Sequence, residues 1–270
     1  MKKMNNLFLA NMMRVRKNKL YWSLCGVMAC ISLCVIIKLF TSNSKQNIDN
    51  GLFMFVIPMG IATALFISIF FGTEYNDGTI RNKLIVGHKR WQIYLVNLGT
   101  SIFCALGFLV AYMMPVLLIG FPCLGIPVMD GIVYLKMVMT SVATMISFCA
   151  LYTMVSMIYH SKAGATVINL LLAFLLLFAC LMLISVLSAP ETIPSFGIGG
   201  ETTYVPNPSY VTGIKRILYQ TIVDILPMGQ SISFLMGPVS ALWQLSTYSI
   251  LVCLICTTVG IVLFSRKNIK

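Results

Sequence analysis

Six long apolar runs divide the chain, and short polar segments separate them. A bilayer contains about 30 Å of hydrocarbon, which a helix of roughly 20 apolar residues crosses. Because lipid offers the backbone no hydrogen-bond partners, each run is expected to be helical. The pattern therefore predicts six membrane spans, at about residues 20–40, 52–71, 93–121, 135–159, 166–187 and 242–264.

The third run is longer than a simple crossing requires, so this helix is expected to tilt or bend. Pro115 lies inside it and lacks the backbone N–H that an uninterrupted helix uses. Pro58 is a second candidate for a kink, in the second run.

Charged residues make up 10% of the chain, against about 25% in soluble domains. Residues 1–270 are therefore expected to form a single all-α integral membrane domain, with no room for a separate soluble one. The basic start followed by an apolar run resembles a secretory signal peptide. However, the run is too long and no small-residue cleavage site follows, so it is expected to stay in the membrane.

The basic residues predict the orientation of the spans, because cytoplasmic loops are enriched in lysine and arginine. If both termini are cytoplasmic, the inner segments hold 14 of the 19 cations and two acids, a net charge of +12. The outer segments hold five cations and five acids, a net charge of zero. The insertion rule and an anionic inner leaflet explain this excess, so no nucleic-acid partner is expected.

Chemistry-bearing patterns are missing from the spans. Apart from Lys38 and Lys136, which lie near enough to an end to snorkel, the predicted spans contain no charged residue, whereas ion-coupled carriers usually need one. The motifs H-E-x-x-H, G-x-S-x-G and the phosphate-binding G-x-x-x-x-G-K-[ST] are absent. The nine cysteines lie mostly in apolar runs and suit packing better than disulfides or metal. No catalytic, metal or cofactor site is expected, so energy for uphill transport must come from another polypeptide.

A dense polar segment, residues 73–91, separates the second and third runs and carries six of the 26 charged residues. Asn76 or Asp77 is a good N-cap, Ile80 and Leu84 form one apolar stripe at i, i+4, and Gly87 suits a helix stop. The segment predicts a short amphipathic helix beneath the membrane. An interfacial loop is the alternative that the pattern alone leaves open.

The N-terminal residues 1–19 show a second amphipathic pattern. One helical face collects the apolar side chains Met4, Leu7, Phe8, Met12 and Val15, and cations that include Arg14 and Arg16 crowd the two ends. This arrangement predicts a helix lying in the membrane interface. A positive flank for the first span, without a defined helix, is the alternative.

The outer segment, residues 188–241, divides into two parts. Its first half is rich in proline and glycine and predicts an irregular loop. Its second half has apolar residues at helical spacing and is broken by Pro227 into two stretches, each too short to cross a bilayer. We expect a helical hairpin that dips into the outer leaflet, with a surface cap as the alternative.

The string FFGTEYNDGTIRNKLIVGHKRWQIYL, residues 70–95, resembles the signature of ABC-2-type transporter permeases. In that family a glutamate precedes an acidic-Gly-Thr step, a basic and polar helix, Gly-x-x-Arg and the third span. The matching residues, in order, are Glu74, Asp77, Gly78, Thr79, Ile80, Arg81, Asn82, Lys83, Gly87 and Arg90. The resemblance is specific over these 26 residues. Elsewhere it rests on the six spans, the N-terminal helix and the long outer segment.

The resemblance implies that residues 73–91 are a coupling helix that docks into a groove of an ATP-binding subunit. It implies these contact residues: Glu74, Tyr75, Asp77, Gly78, Thr79, Ile80, Arg81, Asn82, Lys83 and Leu84, with Ile80 or Leu84 as an apolar plug. It also implies that the interfacial helix, with Phe8, Met12, Arg14 and Arg16, touches the same partner. The outer hairpin would then be a pair of re-entrant helices lining an outer gate.

The function implied is that of a permease subunit of an ATP-driven exporter in the cell membrane. Two such chains would pair, a homodimer being the expected form, above two ATPase subunits that hold ATP and magnesium. Similar permeases serve lantibiotic or bacitracin immunity, export of phenol-soluble modulins, and sodium extrusion. Uncharged spans favour an amphipathic peptide or lipophilic antibiotic over sodium. The alternative is a non-transporting immunity or sensor protein that binds a toxic peptide at its outer face.

Overall fold

The computed structural model describes residues 2–267 except 43–47, 126, 160, 197–201 and 236–241. The end of the predicted outer segment, residues 236–241, thus lies outside the described residues. In chain order the elements are α1 (Lys2–Arg16), α2 (Lys19–Thr41), α3 (Asp49–Leu52), α4 (Val56–Asn76), α5 (Thr79–Ile85), α6 (Arg90–Pro115), a π-helical turn (Val116–Gly120), α7 (Phe121–Leu124), α8 (Gly131–Ile158), α9 (Lys162–Leu187), β1 (Thr192–Phe196), β2 (Thr202–Pro206), α10 (Gly213–Ile225), α11 (Pro227–Leu235) and α12 (Leu242–Arg266).

Within the described residues, six helices are long and apolar enough to cross a membrane, and each covers most of one predicted run. They are α2, α4, α6 with its extension to Leu124, α8, α9 and α12. Several extend beyond the predicted limits, most importantly α4, which continues from the expected end at Phe71 to Asn76. The chain is therefore a multi-span helical protein of the membrane class.

The centre of the bundle is built from α4 and α8. In the most apolar stretch of each span, 67% of the residues of α4 and 61% of those of α8 are buried, against 17% to 28% in the other four spans. The other spans surround this pair, α12 packing mainly on α8 and α9 on α4. Four spans thus keep broad apolar faces for lipid or another chain.

Two glycines of α4 allow this helix to approach α8 and α9 closely. A Cβ atom at Gly60 would lie 2.9 Å from the ring of Phe148 on α8, and one at Gly72 would lie 2.6 Å from the backbone of Lys162 on α9. Real Cβ atoms do not sit so close to other heavy atoms. Both contacts therefore depend on the missing side chain.

The third span bends as expected. Pro115 ends the regular part of α6, and the next five residues, Val116–Gly120, form a π-helical turn before α7. A proline in a helix removes a hydrogen bond and displaces the preceding turn, and a π-helical turn absorbs the change. Pro58 lies in the first turn of α4, where proline is tolerated, and it causes no interior break.

Two ends of the bundle can be distinguished. The basal end carries α1, α5, the start of α6 and the end of α12. The distal end carries the β-strands, α10 and α11. The second half of the predicted outer segment forms the two short helices α10 and α11, and they meet immediately before Pro227, as predicted. The expectation of an irregular loop in the first half is wrong, because β1 and β2 pair as an antiparallel hairpin. The β-branched and aromatic residues of Thr202–Pro206 favour a strand.

The two distal helices have opposite environments. Helix α11 is inserted among the spans and buries seven of its nine residues, whereas α10 exposes the apolar side chains of Ile214, Ile217 and Leu218. Arg216 donates to the carbonyl of Leu187, the last residue of α9, over 3.1 Å. This bond places α10 at the level where a span ends.

A single buried amide holds α11 in place. The Oε1 atom of Gln230 accepts hydrogen bonds from the hydroxyls of Thr144 and Ser249, both at 2.6 Å. Its Nε2 atom donates to the carbonyl oxygens of Asp224, at 2.6 Å, and Leu245, at 3.1 Å. The side chain thus fills all four of its hydrogen-bonding positions and joins α11 to α8, α10 and α12.

Replacing Gly72 by alanine is expected to lower the free energy of unfolding by roughly 1–3 kcal/mol, because the added methyl group forces α4 away from α9. The matched control is Gly26→Ala, since nothing lies within 4 Å of a Cβ atom at this helical position. There the better helix propensity of alanine should add about 0.5–1 kcal/mol. Thermal unfolding in detergent micelles measures both changes, and equal stability of the two variants would contradict the close packing of α4 on α9.

Candidate functional site

The basal end contains a fully buried carboxylate. Glu74 lies in the last turn of α4 and has no exposed surface. The expectation that no acidic or basic side chain lies within the span helices therefore fails here, because α4 runs five residues beyond its predicted end. Burial of an unpaired carboxylate costs so much that a partner is required. The environment of Glu74 shows how that cost is offset.

Two cations and an amide surround Glu74. The guanidinium of Arg14, on α1, and the ammonium of Lys83, on α5, both donate to Oε1, the latter over 2.7 Å. Asn97, on α6, donates to Oε2 over 3.2 Å. Arg14 also lies over the ring of Phe70, 5.0 Å from its centroid. One carboxylate thus joins four helices.

Asn11 closes the network behind these ion pairs. It lies on α1, is fully buried, and donates to Oδ1 of Asn97 at 2.9 Å and to the hydroxyl of Thr100 at 3.1 Å. Its own oxygen accepts from Nζ of Lys83 at 3.2 Å. Hydrogen bonds that share partners in a region of low dielectric strengthen one another. We call Asn11, Arg14, Glu74, Lys83, Asn97 and Thr100 the basal polar cluster.

An apolar cluster lies beside the basal polar cluster and packs the same helices together. Its buried members are Leu7, Ile80, Ile93, Tyr94, Val96, Met157 and Phe264, with Met4, Phe8, Tyr75, Leu84 and Ile261 packed around them. The stripe formed by Ile80 and Leu84 and the apolar face of α1 both contribute to it. Both predicted amphipathic segments are therefore helical, and their apolar faces point toward the bundle.

The end of α12 is fastened at the same place. Arg90, at the start of α6, donates to the carbonyl oxygens of Phe264, Ser265 and Lys267, which are among the acceptors that a helix end leaves without partners. Lys267 donates to the carbonyl of Met157 over 3.0 Å and lies 4.0 Å from the centre of the Tyr75 ring. Burial lowers the pKa of Lys267 to about 8.

The turn geometry of α5 corrects one prediction and confirms another. Neither Asn76 nor Asp77 caps α5, because α4 continues through Asn76; the residue before α5 is Gly78, with φ of 65°. Only glycine adopts this left-handed conformation without strain. Gly87, with φ of 90°, stops the helix as predicted, and its N–H bonds back to Leu84 over 2.9 Å.

The implied contact residues occupy different environments. Glu74 and Ile80 are buried. Because Ile80 packs inside the apolar cluster, its side chain does not reach the surface where a plug would contact a partner. The half-buried members are Tyr75, Gly78, Thr79, Lys83 and Leu84, and the exposed members are Asp77, Arg81 and Asn82. In the N-terminal helix Phe8, Met12 and Arg14 are half-buried, and Arg16 is exposed.

Several important residues escaped the sequence analysis. Asn11 and Asn97 complete the cluster, and a signal for Asn11 was present: it is a polar residue on the apolar face between Leu7 and Val15. Ile85 and Val86 form an exposed apolar tip at the end of α5, with 73% and 72% of their surfaces accessible. This pair lies outside the i, i+4 stripe of Ile80 and Leu84, so the apolar periodicity gives no signal for it.

The chain was compared with known proteins. No family model matches it, and no curated protein sequence matches it. The resemblance to ABC-2-type permeases therefore rests on the residues of this chain alone.

Replacing Glu74 by alanine is expected to lower the free energy of unfolding by roughly 3–5 kcal/mol, because Arg14 and Lys83 then lose the charge that compensates them. Asp77→Ala is the matched control: it removes an exposed acid three residues away and should change stability by less than about 0.5 kcal/mol. Thermal unfolding in detergent checks both.

A triple replacement tests whether the effect is electrostatic. Combining Glu74→Leu with Arg14→Leu and Lys83→Met removes every charge of the cluster and should recover most of the loss, since apolar groups of similar volume often replace buried ion pairs without cost. A triple variant no more stable than Glu74→Ala would show that the shape of the site, rather than its charge balance, holds the helices.

Proposed function

We propose that this protein is the membrane-spanning permease subunit of an ATP-driven ABC exporter. The observation that carries the proposal is the basal polar cluster, which fixes the short helix α5 to α1, α4 and α6 through the carboxylate of Glu74. A partner that pushes on α5 would therefore move two spans and the N-terminal helix together. The sequence resemblance over residues 70–95 independently supports the same conclusion.

The basal end is the cytoplasmic end in this proposal, and both termini lie there. The excess of lysine and arginine in the basal segments supports this orientation. Helix α1 is then an interfacial helix, α5 is the coupling helix, and α10 with α11 is the re-entrant pair at the outer face. The membrane is the cell membrane.

The energy source is a separate subunit, because the chain contains no phosphate-binding loop motif. Two ATPase subunits, each binding ATP and magnesium, sit beneath a pair of permease chains, and a homodimer is the proposed pair. Closure of the ATPase pair on ATP moves the coupling helices, and hydrolysis resets them. This chain supplies the transport path and its mechanical link rather than catalysis.

The surface offered to the ATPase differs from the contact set implied by the family pattern. The exposed residues of α5 are Arg81, Asn82 and Ile85, and the exposed Val86 follows them. An exposed aliphatic pair beside a cation suits a partner groove with an apolar floor and an acidic rim. Glu74 acts behind this surface by transmitting the displacement.

The proposed cargo is an amphipathic peptide or a lipophilic antibiotic. Four spans expose broad apolar faces, and the one buried carboxylate at the basal end is already paired with two cations. A path between two such chains suits a cargo with apolar surface better than a bare cation, because a cation needs oxygen ligands.

Changing the apolar tip should detach the ATPase without unfolding the permease. Combining Ile85→Asp with Val86→Asp is expected to reduce the copurifying nucleotide-hydrolysing subunit roughly tenfold. A tenfold loss of affinity corresponds to about 1.4 kcal/mol, which is less than the loss of one interface hot spot costs. The control is Val128→Asp, which alters an equally exposed apolar residue, 72% accessible, at the distal end. Purification from native membranes followed by mass spectrometry measures the ratio of subunits.

Wild-type protein that carries no such subunit would overturn the proposal. If that protein still binds a toxic peptide at its outer face, the function is immunity or sensing without transport.

Weakening the cluster should uncouple rather than detach the ATPase. Lys83→Gln removes one of the two cations on Glu74 but leaves Arg14 in place and keeps the apolar tip exposed. We expect the ATPase to remain bound while cargo-stimulated ATP hydrolysis in proteoliposomes falls at least several-fold, because α5 is then less firmly tied to α4. Lys89→Gln, which changes an exposed cation outside both the cluster and the α5 surface, is the control. Unchanged stimulation in Lys83→Gln would contradict the mechanical role of the cluster.

A further inference from the structure

A groove of about 460 Å³ runs between the start of α2 and the middle of α6. Apolar and aromatic side chains line it: Tyr21, Trp22, Cys25, Phe103, Leu106, Gly107, Val110 and Ala111. The eight residue steps from Phe103 to Ala111 span about 12 Å along a helix. This length is close to the hydrocarbon depth of a single leaflet, which is roughly half of 30 Å.

The groove has a rigid floor and open walls. Tyr21 is buried and lies directly over Gly107, where a Cβ atom would overlap its hydroxyl. Its ring also packs on Phe108, with 5.4 Å between the ring centres. In contrast, Trp22 and Val110 each expose 58% of their surface. The floor belongs to the protein core, and the rim faces the membrane.

Three cations lie in the chain just before Tyr21 and Trp22, at the basal end of the groove. Arg16, Lys17 and Lys19 lie in and beside the turn between α1 and α2, and all three are exposed. Among the described residues the ion pairs involve only Arg14 and Lys83, so no carboxylate neutralises this turn.

The turn is held against the groove by two sets of hydrogen bonds. The side chain of Asn18 accepts from the backbone N–H groups of Leu20 and Tyr21, at 2.9 and 3.3 Å. The indole N–H of Trp22 donates to the carbonyl of Arg16 over 2.9 Å. Lys19 and Trp22 are three residues apart and share one face of α2. Arg16 and Lys19 are thereby placed next to Trp22 at the apolar rim.

We propose that this surface is a binding site for an anionic phospholipid of the leaflet at the basal end. One acyl chain lies in the groove, and the phosphate and anionic headgroup lie among Arg16, Lys17 and Lys19. Basic pockets beside membrane helices attract such headgroups, and an apolar floor under a cationic mouth matches the division of a phospholipid into tail and head. A cationic amphipathic peptide would fit the groove but would be repelled at its mouth.

A larger groove, of about 610 Å³, lies on another face of α2 and provides a contrast. It is lined by apolar and small residues together with a single cation, Lys38, at its distal end. Among the described residues Lys38 is the only cation that lines it, so we assign the lipid only to the groove at Trp22. This assignment requires that the chain lies in a bilayer and does not depend on the transport role.

Tryptophan fluorescence provides a direct test, because the chain has only three tryptophans. Replacing the exposed residues Trp91 and Trp243 by phenylalanine leaves Trp22 as the single reporter at the groove. The protein is reconstituted in phosphatidylcholine vesicles, and two titrations are compared. One adds phosphatidylglycerol with brominated acyl chains, and the other adds phosphatidylcholine with brominated acyl chains. We expect brominated phosphatidylglycerol to reach half-maximal quenching at a fraction roughly five- to tenfold lower than brominated phosphatidylcholine requires.

Variants separate the headgroup contact from the groove. Changing Arg16, Lys17 and Lys19 together to glutamine should abolish the preference for phosphatidylglycerol, and about 0.5 M salt should weaken it by screening. Changing Lys38 and Lys215 to glutamine is the control and should leave it intact. Val110→Phe narrows the groove and should reduce quenching by both lipids.

Three outcomes would overturn the proposal. Equal quenching by the two brominated lipids would mean that ordinary annular lipid covers the groove. A preference that survives the triple glutamine change would mean that the cations do not bind the headgroup. The third outcome is that a cationic amphipathic peptide relieves the quenching at a concentration at which unbrominated phosphatidylglycerol does not relieve it. That result would assign the groove to a peptide.

Discussion

The need to compensate one buried negative charge organises the whole basal end of this protein. Glu74 cannot reach water from the last turn of α4, and burying a charged carboxylate without partners costs several kcal/mol. Arg14 on α1 and Lys83 on α5 both form ion pairs with Glu74. As a result, α1 and α5, which are too short to be stable alone in water, are held against the spans by charge as well as by apolar contact.

The two ends of the bundle solve the same packing problem with different chemistry. The basal end uses ion pairs and a pair of asparagines, whereas the distal end uses the neutral amide of Gln230 and hydroxyl groups. Ion pairs act over longer distances and tolerate small displacements, but neutral hydrogen bonds weaken steeply as their geometry changes. The basal helices can therefore shift as a group while staying attached, and α11 has a more narrowly defined position.

Much of the fold could be predicted from the sequence because hydropathy is a sum over many residues. Six runs of this length specify six helices even when individual limits are several residues wrong. The stop at Gly87 was predictable because a single residue type suits its backbone conformation. The burial of Glu74 was not, since it depends on Arg14 and Asn97, which are distant in the chain. The pairing of β1 with β2 was missed because prolines within both strands favoured a loop.

Gln230 has a kinetic consequence. Its amide has no spare donor or acceptor, and its neighbours come from three other helices, so a small slide of α11 breaks several bonds while offering no substitutes in a region shielded from water. Displaced positions are then high in energy, so α11 should leave its observed position only rarely. Its motion would consist of brief excursions separated by long waiting times, rather than the continuous drift of a flexible loop.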